Sequence, residues 1–300
     1  MSRLVSYLVI TYNRHDDVRE CISTILDQDY PHKEIIVEDN GSDPPIEPFL
    51  HETLGRLAVV KVLRSEINLG VSGGRNLGLD HTTGDIIITI DDDALIKDPQ
   101  LTTKVIKKFD AEPEIGVLAF RITTFQTGEI EAASFPSKNK RRSPDEEFET
   151  TWFIGCGHAA RRDVYEKAGN YLDYSPYGHE DIDLSLKVIN AGYKIVYFPD
   201  AEVFHKKSPT SRILNPTKFF ANQLANRVKV AIRNLPWRYV ITTGIIRSGQ
   251  ALIRSRFNLI AITWAYFRIL YGLPQSLRER QLISKDAVSK IVKLKGPALY

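Results

Sequence analysis

Short apolar, β-branched runs alternate with helix-periodic segments along the first 200 residues. Such runs, typical of strands, occur at residues 3–10, 33–38, 58–63, 85–90, 115–120 and 193–198. Between the first two runs, Val18, Ile22 and Ile25 recur at the spacing of one helix face. Residues 162–168 and 180–191 read as further helices. This alternation predicts a doubly wound α/β sheet rather than an all-β or all-α fold.

The run at residues 85–90 leads directly into three carboxylates, Asp91, Asp92 and Asp93. A continuous apolar run is typical of a strand buried on both faces. Ligands of open α/β sheets bind beyond the carboxyl ends of the strands, where these aspartates would emerge. Adjacent negative charges repel one another unless a cation is bound, and carboxylate oxygens suit Mg2+ or Mn2+. A solvated acidic turn is the alternative interpretation.

Several other polar segments follow predicted strands and are expected at the same sheet edge. Asp39 ends the second run, inside an Asp-Asn-Gly turn. Residues 68–78 are rich in glycine, and we expect a loop here that opens a short helix. Its backbone amides and Arg75 suit phosphate oxygens, although a tight turn explains the glycines equally well.

The second half of the chain offers two more candidate groups. Glu180 and Asp181 lie at the start of a predicted helix, where the helix dipole stabilises carboxylates; ordinary capping is the alternative. His205 follows a strand-like segment and could reach a metal at the same edge, although a lone histidine there is usually structural. Residues 121–150 lack periodicity, and we expect a mobile polar loop, the kind of segment that also closes over sites.

Composition places the chain among ordinary globular proteins, with 300 residues, 43% hydrophobic and 26% charged. Its two cysteines, Cys21 and Cys156, cannot build a disulfide framework and lack metal-site spacing, which fits a reducing compartment. The first residues show no secretory signal pattern. We therefore expect a cytoplasmic protein.

Charge divides the chain into two predicted domains, residues 1–210 and 211–300. The second contains 16 lysines and arginines but two acidic residues, so its formal charge is +14 against −11 for the first. Its apolar helical faces carry arginines and aromatic rings, and its longest charge-free stretch, residues 257–267, is too short to span a bilayer. We expect these helices to lie on the inner face of the cell membrane. Packing on the first domain or in a homodimer is the alternative, and no nucleic-acid-reading motif accompanies the charge.

Taken in order, these segments resemble the family-2 glycosyltransferases of the GT-A fold, over roughly residues 3–210. Asp91-Asp92-Asp93-Ala94 is similar to the family's D-x-D signature, and residues 180–184 to the acidic motif that carries the base. The segment from Gly155 to Gly157, with Arg161 and Arg162, resembles the part that contacts the donor sugar. The rhamnosyltransferase-like branch, which acts in bacterial cell-surface polysaccharide assembly, is the most similar and also has a basic helical tail.

The resemblance implies a GT-A catalytic domain with a mostly parallel sheet, and it implies a role for each candidate residue. It implies nucleotide-sugar contacts for Thr11, Tyr12, Asn13, Asp39, Gly74, Arg75, Asp91, Asp92 and Gly157. It implies that Asp181 is the catalytic base, that Glu180 and Trp152 contact the acceptor, and that Asp93 and His205 hold Mn2+ or Mg2+.

The implied reaction is inverting transfer of a hexosyl or rhamnosyl group from a nucleoside-diphosphate sugar to a hydroxyl of a saccharide or lipid-linked saccharide. Two other functions are kept open. One is a non-catalytic module that binds nucleotide sugars or glycans, although such a module would not need a base. The other is a nucleotidyltransferase, which would favour a stronger phosphate loop than residues 11–14 provide.

Overall fold

The computed structural model describes residues 3–55, 58–139, 141–172, 178–208, 215–294 and 296. Within these ranges the strands are β1 Val5–Thr11, β2 Lys33–Asp39, β3 Val60–Arg64, β4 Ile86–Asp91, β5 Ala94–Leu95, β6 Ile115–Thr124, β7 Phe148–Thr150, β8 Gly157–Arg161 and β9 Lys194–His205. The helices are α1 His15–Leu26, α2 Ile46–Leu54, α3 Gly70–Leu79, α4 Leu101–Ala111, α5 Arg162–Ala168, α6 Glu180–Asn190, α7 Pro216–Asn234, α8 Trp237–Arg254, α9 Leu259–Arg278 and α10 Lys285–Lys293.

The strands form one sheet in the order β3-β2-β1-β4-β8-β6-β9-β5, and β7 pairs with β9. From β3 to β4 the pairs are parallel, whereas β8 runs antiparallel to both of its neighbours, β4 and β6. The sheet is therefore parallel on one side and mixed on the other. Thr11 pairs with Asp39, and Ile10 pairs with Asp91. The carboxyl ends of β1, β2 and β4 thus meet at one edge, as the sequence predicts.

Helices cover both faces of this sheet, which explains the continuous apolar runs. Along β1, Tyr7 and Leu8 are both fully buried but belong to different hydrophobic clusters. Successive side chains of a strand point to opposite faces, so both positions must be apolar. Leu8 packs in the cluster of Ile36 and Ile87, on the face opposite to the one that Tyr7 occupies.

Two segments differ from the prediction. The glycine-rich segment is mostly the helix α3 rather than a loop that precedes a helix. The irregular stretch expected at residues 121–150 is regular at both ends, because β6 continues to Thr124 and β7 adds an edge strand to β9. Between them, Phe135 packs edge-on against Phe148 and Tyr197, with ring centroids 5.7 and 5.3 Å away. These aromatic contacts were not visible as a sequence period.

Side chains of the helices that follow residue 215 join a hydrophobic cluster on one face of the sheet. Helix α7 contributes Ala221, Leu224 and Val228 to the cluster that also contains Leu8. The division at residue 210 stays a prediction, and the hydrophobic cluster continues across it. Helices α8 and α9 leave many apolar side chains exposed, and no helix among the described residues is long and apolar enough to cross a membrane.

Candidate active site

Hydrogen bonds join the loops that follow β1 and β2 at the edge of the sheet. Asn13 has a left-handed backbone with a φ of 55°. Its backbone N–H donates to Ser42 Oγ at 2.9 Å, and its side-chain oxygen accepts from the Asp43 N–H at 2.8 Å. Thr11 is buried before this turn, while Tyr12 is half-buried within it. The segment expected to contact the nucleotide therefore has a fixed shape.

Asp39 is buried and holds the second loop. Its carboxylate accepts from Arg64 Nη1 at 2.6 Å, from the Ser42 N–H at 2.8 Å and from the Ile46 N–H at 3.1 Å. Charge-assisted bonds of this kind are about twice as strong as neutral ones. Asp39 therefore shapes the edge, and its contact with a nucleobase stays a prediction.

The three consecutive aspartates occupy different environments. The Asp91 side chain is 31% exposed, whereas those of Asp92 and Asp93 are buried. Arg14 Nη1 lies 2.7 Å from Asp92 Oδ1 and 3.4 Å from Asp93 Oδ2, so one guanidinium neutralises part of the triplet. Burial raises the pKa of Asp92 to about 7, although Arg14 opposes the shift. Asp91 is consequently the member most open to a ligand.

His205 lies at the end of β9, beside the aspartates. Its Nε2 is 3.4 Å from Asp93 Oδ1, and its Nδ1 is 2.8 Å from Glu131 Oε2. Burial disfavours the imidazolium, yet hydrogen bonds with Asp93 and Glu131 hold the pKa of His205 above its ordinary value. Glu131 belongs to the segment between β6 and β7, which thereby reaches the site.

The donor set at this edge fits a divalent cation. Ligand atoms of Asp91, Cys156 and His205 lie within 4.8 Å of one another. Burial raises the pKa of the Cys156 thiol to about 12, so it stays a neutral, soft group that Mn2+ and Mg2+ do not select. The carboxylate oxygens of Asp91 and Asp93 and the imidazole nitrogen of His205 are suitable ligands. A metal would have to replace the proton on His205.

Arg75 connects Asp91, at the edge of the sheet, to helix α6. Its guanidinium is buried between Asp91 Oδ1, at 2.9 Å, and Glu180 Oε1, at 3.4 Å. A methyl group on Gly155 would lie 2.3 Å from Arg75 Nη2, so only glycine leaves room for this bridge. The contacts show Arg75 organising two carboxylates, while its predicted contact with phosphate is untested.

Glu180 and Asp181 begin α6 on the side that faces this network. Asp181 is half-buried, and its Oδ1 accepts from the Ile182 N–H at 2.8 Å. Burial and the neighbouring Glu180 raise the pKa of Asp181 to about 7, against the effect of Arg75. A carboxyl group with that pKa can accept a proton near neutral pH. Two residues further along α6, Asp183 is instead buried, with Oδ2 2.8 Å from Lys187 Nζ.

Each of the two predicted acceptor residues has one buried polar atom that lacks a hydrogen-bond partner among the described residues. These atoms are Glu180 Oε2 and the indole nitrogen of Trp152. Buried polar atoms are normally satisfied, so these two are exceptions, and the contact of either residue with an acceptor stays a prediction. Trp152 is half-buried and packs against the same cluster as α6.

The structure corrects one part of the predicted donor-sugar segment. Gly157 pairs with Ile90, near the carboxyl end of β4, but Arg161 pairs with Ile86 at the opposite end. Arg161 and Arg162 donate to backbone carbonyls there, at 2.7 Å each. Four residues of strand span about 13 Å. These arginines therefore lie far from Asp91, and their assignment to the donor sugar was wrong.

The two glycines predicted to contact the nucleotide are closely packed. A methyl group on Gly74 would lie 2.7 Å from Glu38 Oε2, and one on Gly157 would lie 3.1 Å from Ile122. A side chain at either position would therefore displace its neighbours, and nucleotide contact at either glycine is untested.

Sequence reasoning missed three residues at this edge, namely Arg14, Glu131 and Cys156. Arg14 directly follows the first loop, and Cys156 lies inside the predicted segment from Gly155 to Gly157, so their positions were available signals. Glu131 had none, because long-range packing brings it to His205.

Comparison with known proteins identifies the family. The sequence model described as glycosyl transferase family 2 matches residues 6–169, more than half of the chain. The chain belongs to glycosyl transferase family 2. That match includes the loops at Asn13 and Asp39, Arg75 and the three aspartates.

Two relatives illustrate how far the sequence likeness extends. An uncharacterised Haemophilus influenzae protein is 29% identical over 169 residues, which are 55% of this chain and 91% of that protein. The O-antigen chain rhamnosyltransferase RfbN of Salmonella typhimurium is 26% identical over 219 residues, 69% of this chain and 68% of that one.

A solved structure extends the likeness to the fold. It is the mannosyltransferase PcManGT from Pyrobaculum calidifontis, in complex with GDP-Man and Mn2+. The match has a TM-score of 0.61 at 18% identity and covers 100% of this chain and 81% of that one. The fold is therefore GT-A, as the sequence resemblance implied.

Proposed function

We propose that this protein is an inverting glycosyltransferase that acts in cell-surface polysaccharide synthesis. It would move a sugar, hexosyl or rhamnosyl, from a nucleoside-diphosphate donor to a hydroxyl of a saccharide or lipid-linked saccharide. Support for the donor class comes from PcManGT, which was solved with GDP-Man, and support for the pathway from RfbN.

One observation carries this proposal. Asp181, with its pKa raised to about 7, is joined to the aspartate edge through Glu180, Arg75 and Asp91. Removal of the proton from an acceptor hydroxyl makes its oxygen the nucleophile at the anomeric carbon. Direct displacement by that oxygen inverts the configuration. A purely binding module would have no use for a carboxylate tuned in this way.

The chain's own residues would position the donor. The tied loops at Asn13 and Asp39 offer a preformed place for the nucleoside, and Asp91 is the exposed carboxylate beside it. Such fixed geometry lowers the entropic part of the barrier. Asp91, Asp93 and His205 would hold Mn2+ or Mg2+, and the cation would supply charge stabilisation for the departing diphosphate.

The exposed faces of α8 and α9 support a membrane partner for this enzyme. Ile241 and Ile245 on α8, with Trp264, Phe267 and Tyr271 on α9, are all exposed. Arginines are interspersed on the same helices. Aromatic rings and arginines together suit the interface of an anionic bilayer, and a lipid-linked acceptor would be presented there. We propose that these helices rest on the inner face of the cell membrane.

Product analysis tests the transferase proposal. The protein is incubated with a panel of nucleotide sugars, Mn2+ and lipid-linked saccharides. We expect release of nucleoside diphosphate, whereas release of pyrophosphate would identify a nucleotidyltransferase instead. Asp181→Asn should lower turnover by about 10²- to 10⁴-fold while donor binding persists.

Asp286→Asn is the matched control for Asp181→Asn. Asp286 is an exposed carboxylate at the same position of helix α10, so its loss should leave turnover unchanged. Undiminished turnover in Asp181→Asn would contradict the assigned base.

A further inference from the structure

The turn that follows β6 brings the chain back to that strand and places Glu131 beside it. The Thr124 N–H donates to the Glu129 carbonyl at 2.8 Å. The Glu131 N–H then donates to the Ile122 carbonyl at 2.9 Å. Gly128 lies within this turn with a φ of 71°, a conformation that favours glycine. Backbone hydrogen bonds therefore fix the position of Glu131 along β6.

The same end of β6 also fixes His205. Thr124 pairs with His205 in the parallel register of β6 and β9, and the Phe125 N–H donates to the His205 carbonyl at 3.0 Å. The side chains of Glu131 and His205 are each 11% exposed, and Glu131 Oε2 lies 2.8 Å from His205 Nδ1. Because both backbones are attached to one strand, the fold itself brings these two side chains together.

The contact with Glu131 determines which nitrogen of His205 is left for a ligand. An ionised carboxylate only accepts hydrogen bonds, so Nδ1 must carry the proton that is donated to Glu131. In the neutral ring the lone pair is then on Nε2, which lies 3.4 Å from Asp93 Oδ1. Nε2 thus lies beside the carboxylate that is proposed to share the metal with His205. Loss of Glu131 would remove this constraint on the tautomer and on the orientation of the ring.

We propose that Glu131 is a positioning residue for the metal, which orients His205 so that Nε2 binds Mn2+ or Mg2+ together with Asp93. The inference rests on the proposed transferase function and gives the segment between β6 and β7 a role in it. Metal-binding imidazoles commonly donate their other N–H to a carboxylate, which fixes the ring and raises its basicity. Lys207 Nζ lies 3.4 Å from Glu131 Oε1, so the second oxygen of this carboxylate also has a partner.

Titration with Mn2+ alone, followed by the electron paramagnetic resonance of free Mn2+, tests this role. Glu131→Ala should weaken the Kd for Mn2+ about 10- to 100-fold, because the imidazole loses the group that orients it. Glu131→Gln has nearly the same shape and keeps an oxygen that accepts from Nδ1–H, so its fold should persist and its Kd should weaken less. Glu129→Ala, at an exposed carboxylate of the same turn, should leave the Kd unchanged.

The alternative is that Glu131 only balances positive charge at His205 and Lys207. Its replacement would then lower the free energy of unfolding, while Mn2+ would bind equally or more tightly. An unchanged or tighter Kd in the folded Glu131 variants would overturn the proposal, as would equal weakening in Glu129→Ala. Absence of Mn2+ binding to the unmodified protein would also overturn it. Release of nucleoside diphosphate by the unmodified protein is measured separately, so failure of this inference is distinguishable from failure of the transferase proposal.

Discussion

The charge state of single side chains in this protein depends on neighbours that are distant in sequence. Asp91, Arg75, Glu180 and Asp181 form one line of charges, yet they come from β4, α3 and α6. The ionisation of each group depends on the others, so a substitution at one should change the pKa of the rest. Two predictions follow from this coupling.

The pH dependence of turnover should report the titration of Asp181. Its pKa is raised to about 7, and only the deprotonated carboxylate accepts a proton. We therefore expect kcat to rise about tenfold per pH unit below 7 and to level off above it. Asp92 also has a pKa raised to about 7, so Asp92→Asn is the control variant. If the rise of kcat with pH disappears in Asp92→Asn, the titrating group is Asp92 and not Asp181.

Replacement of Gly155 by alanine should disrupt the Arg75 bridge. The added methyl group would lie 2.3 Å from Arg75 Nη2, so the guanidinium must leave Asp91 or Glu180. Overpacking of this kind costs about 1–3 kcal/mol, and kcat should fall with it. Urea denaturation measures the free energy of unfolding.

Gly244→Ala provides the comparison for Gly155→Ala. Gly244 lies within helix α8, and no neighbouring atom lies within 4 Å of the position that an added Cβ would take. Alanine should therefore stabilise the protein by up to about 1 kcal/mol. Equal stability of the two variants would contradict the steric account of Gly155.

At the scale of elements, the sequence predicted the features that depend on local patterns. Residue spacing and apolar runs predicted the starts of α5 and α6, the burial of Ile22 and the position of Asp91 at the sheet edge. The approach of Glu131 to His205 does not, because it depends on how β6, β7 and β9 pair. Arg161 was misplaced for the same reason: β8 runs antiparallel to β4 and carries it away from the edge.

Helix α9 provides a prediction about the proposed membrane face. Trp264, Phe267 and Tyr271 stack along one side, with ring centroids 5.9 and 6.4 Å apart, and Phe267 is 59% exposed. Phe267→Ser should weaken binding to anionic vesicles about tenfold or more, since the apolar area of one phenylalanine is lost. Co-sedimentation measures the bound fraction.

Phe125→Ser is the control for Phe267→Ser, because Phe125 is also exposed but lies next to the end of β6. Its vesicle binding should match that of the unmodified protein. If Phe267→Ser binds equally well, α9 does not face the bilayer.

At the scale of the whole molecule, the acidic and basic parts of the chain differ in structure as well as in charge. The acidic first part contains the edge that we propose to bind the metal and the nucleotide. The basic second part packs its helix α7 on the same core and leaves many apolar side chains of α8 and α9 exposed. The family and the GT-A fold were predictable from ordered motifs. The packing of α7 on the hydrophobic cluster that contains Leu8 was not, because amphipathic helices do not specify which surface they cover.

The configuration of the transferred sugar shows whether Asp181 activates the acceptor for a single displacement. A product made with the preferred donor is analysed by NMR, and the coupling constant of its anomeric proton is compared with that of the donor. Because Asp181 is proposed to activate the acceptor for one direct displacement, we expect an inverted anomer. We also expect that Asp181→Asn forms almost no product. A product that retains the donor's configuration would contradict the mechanism.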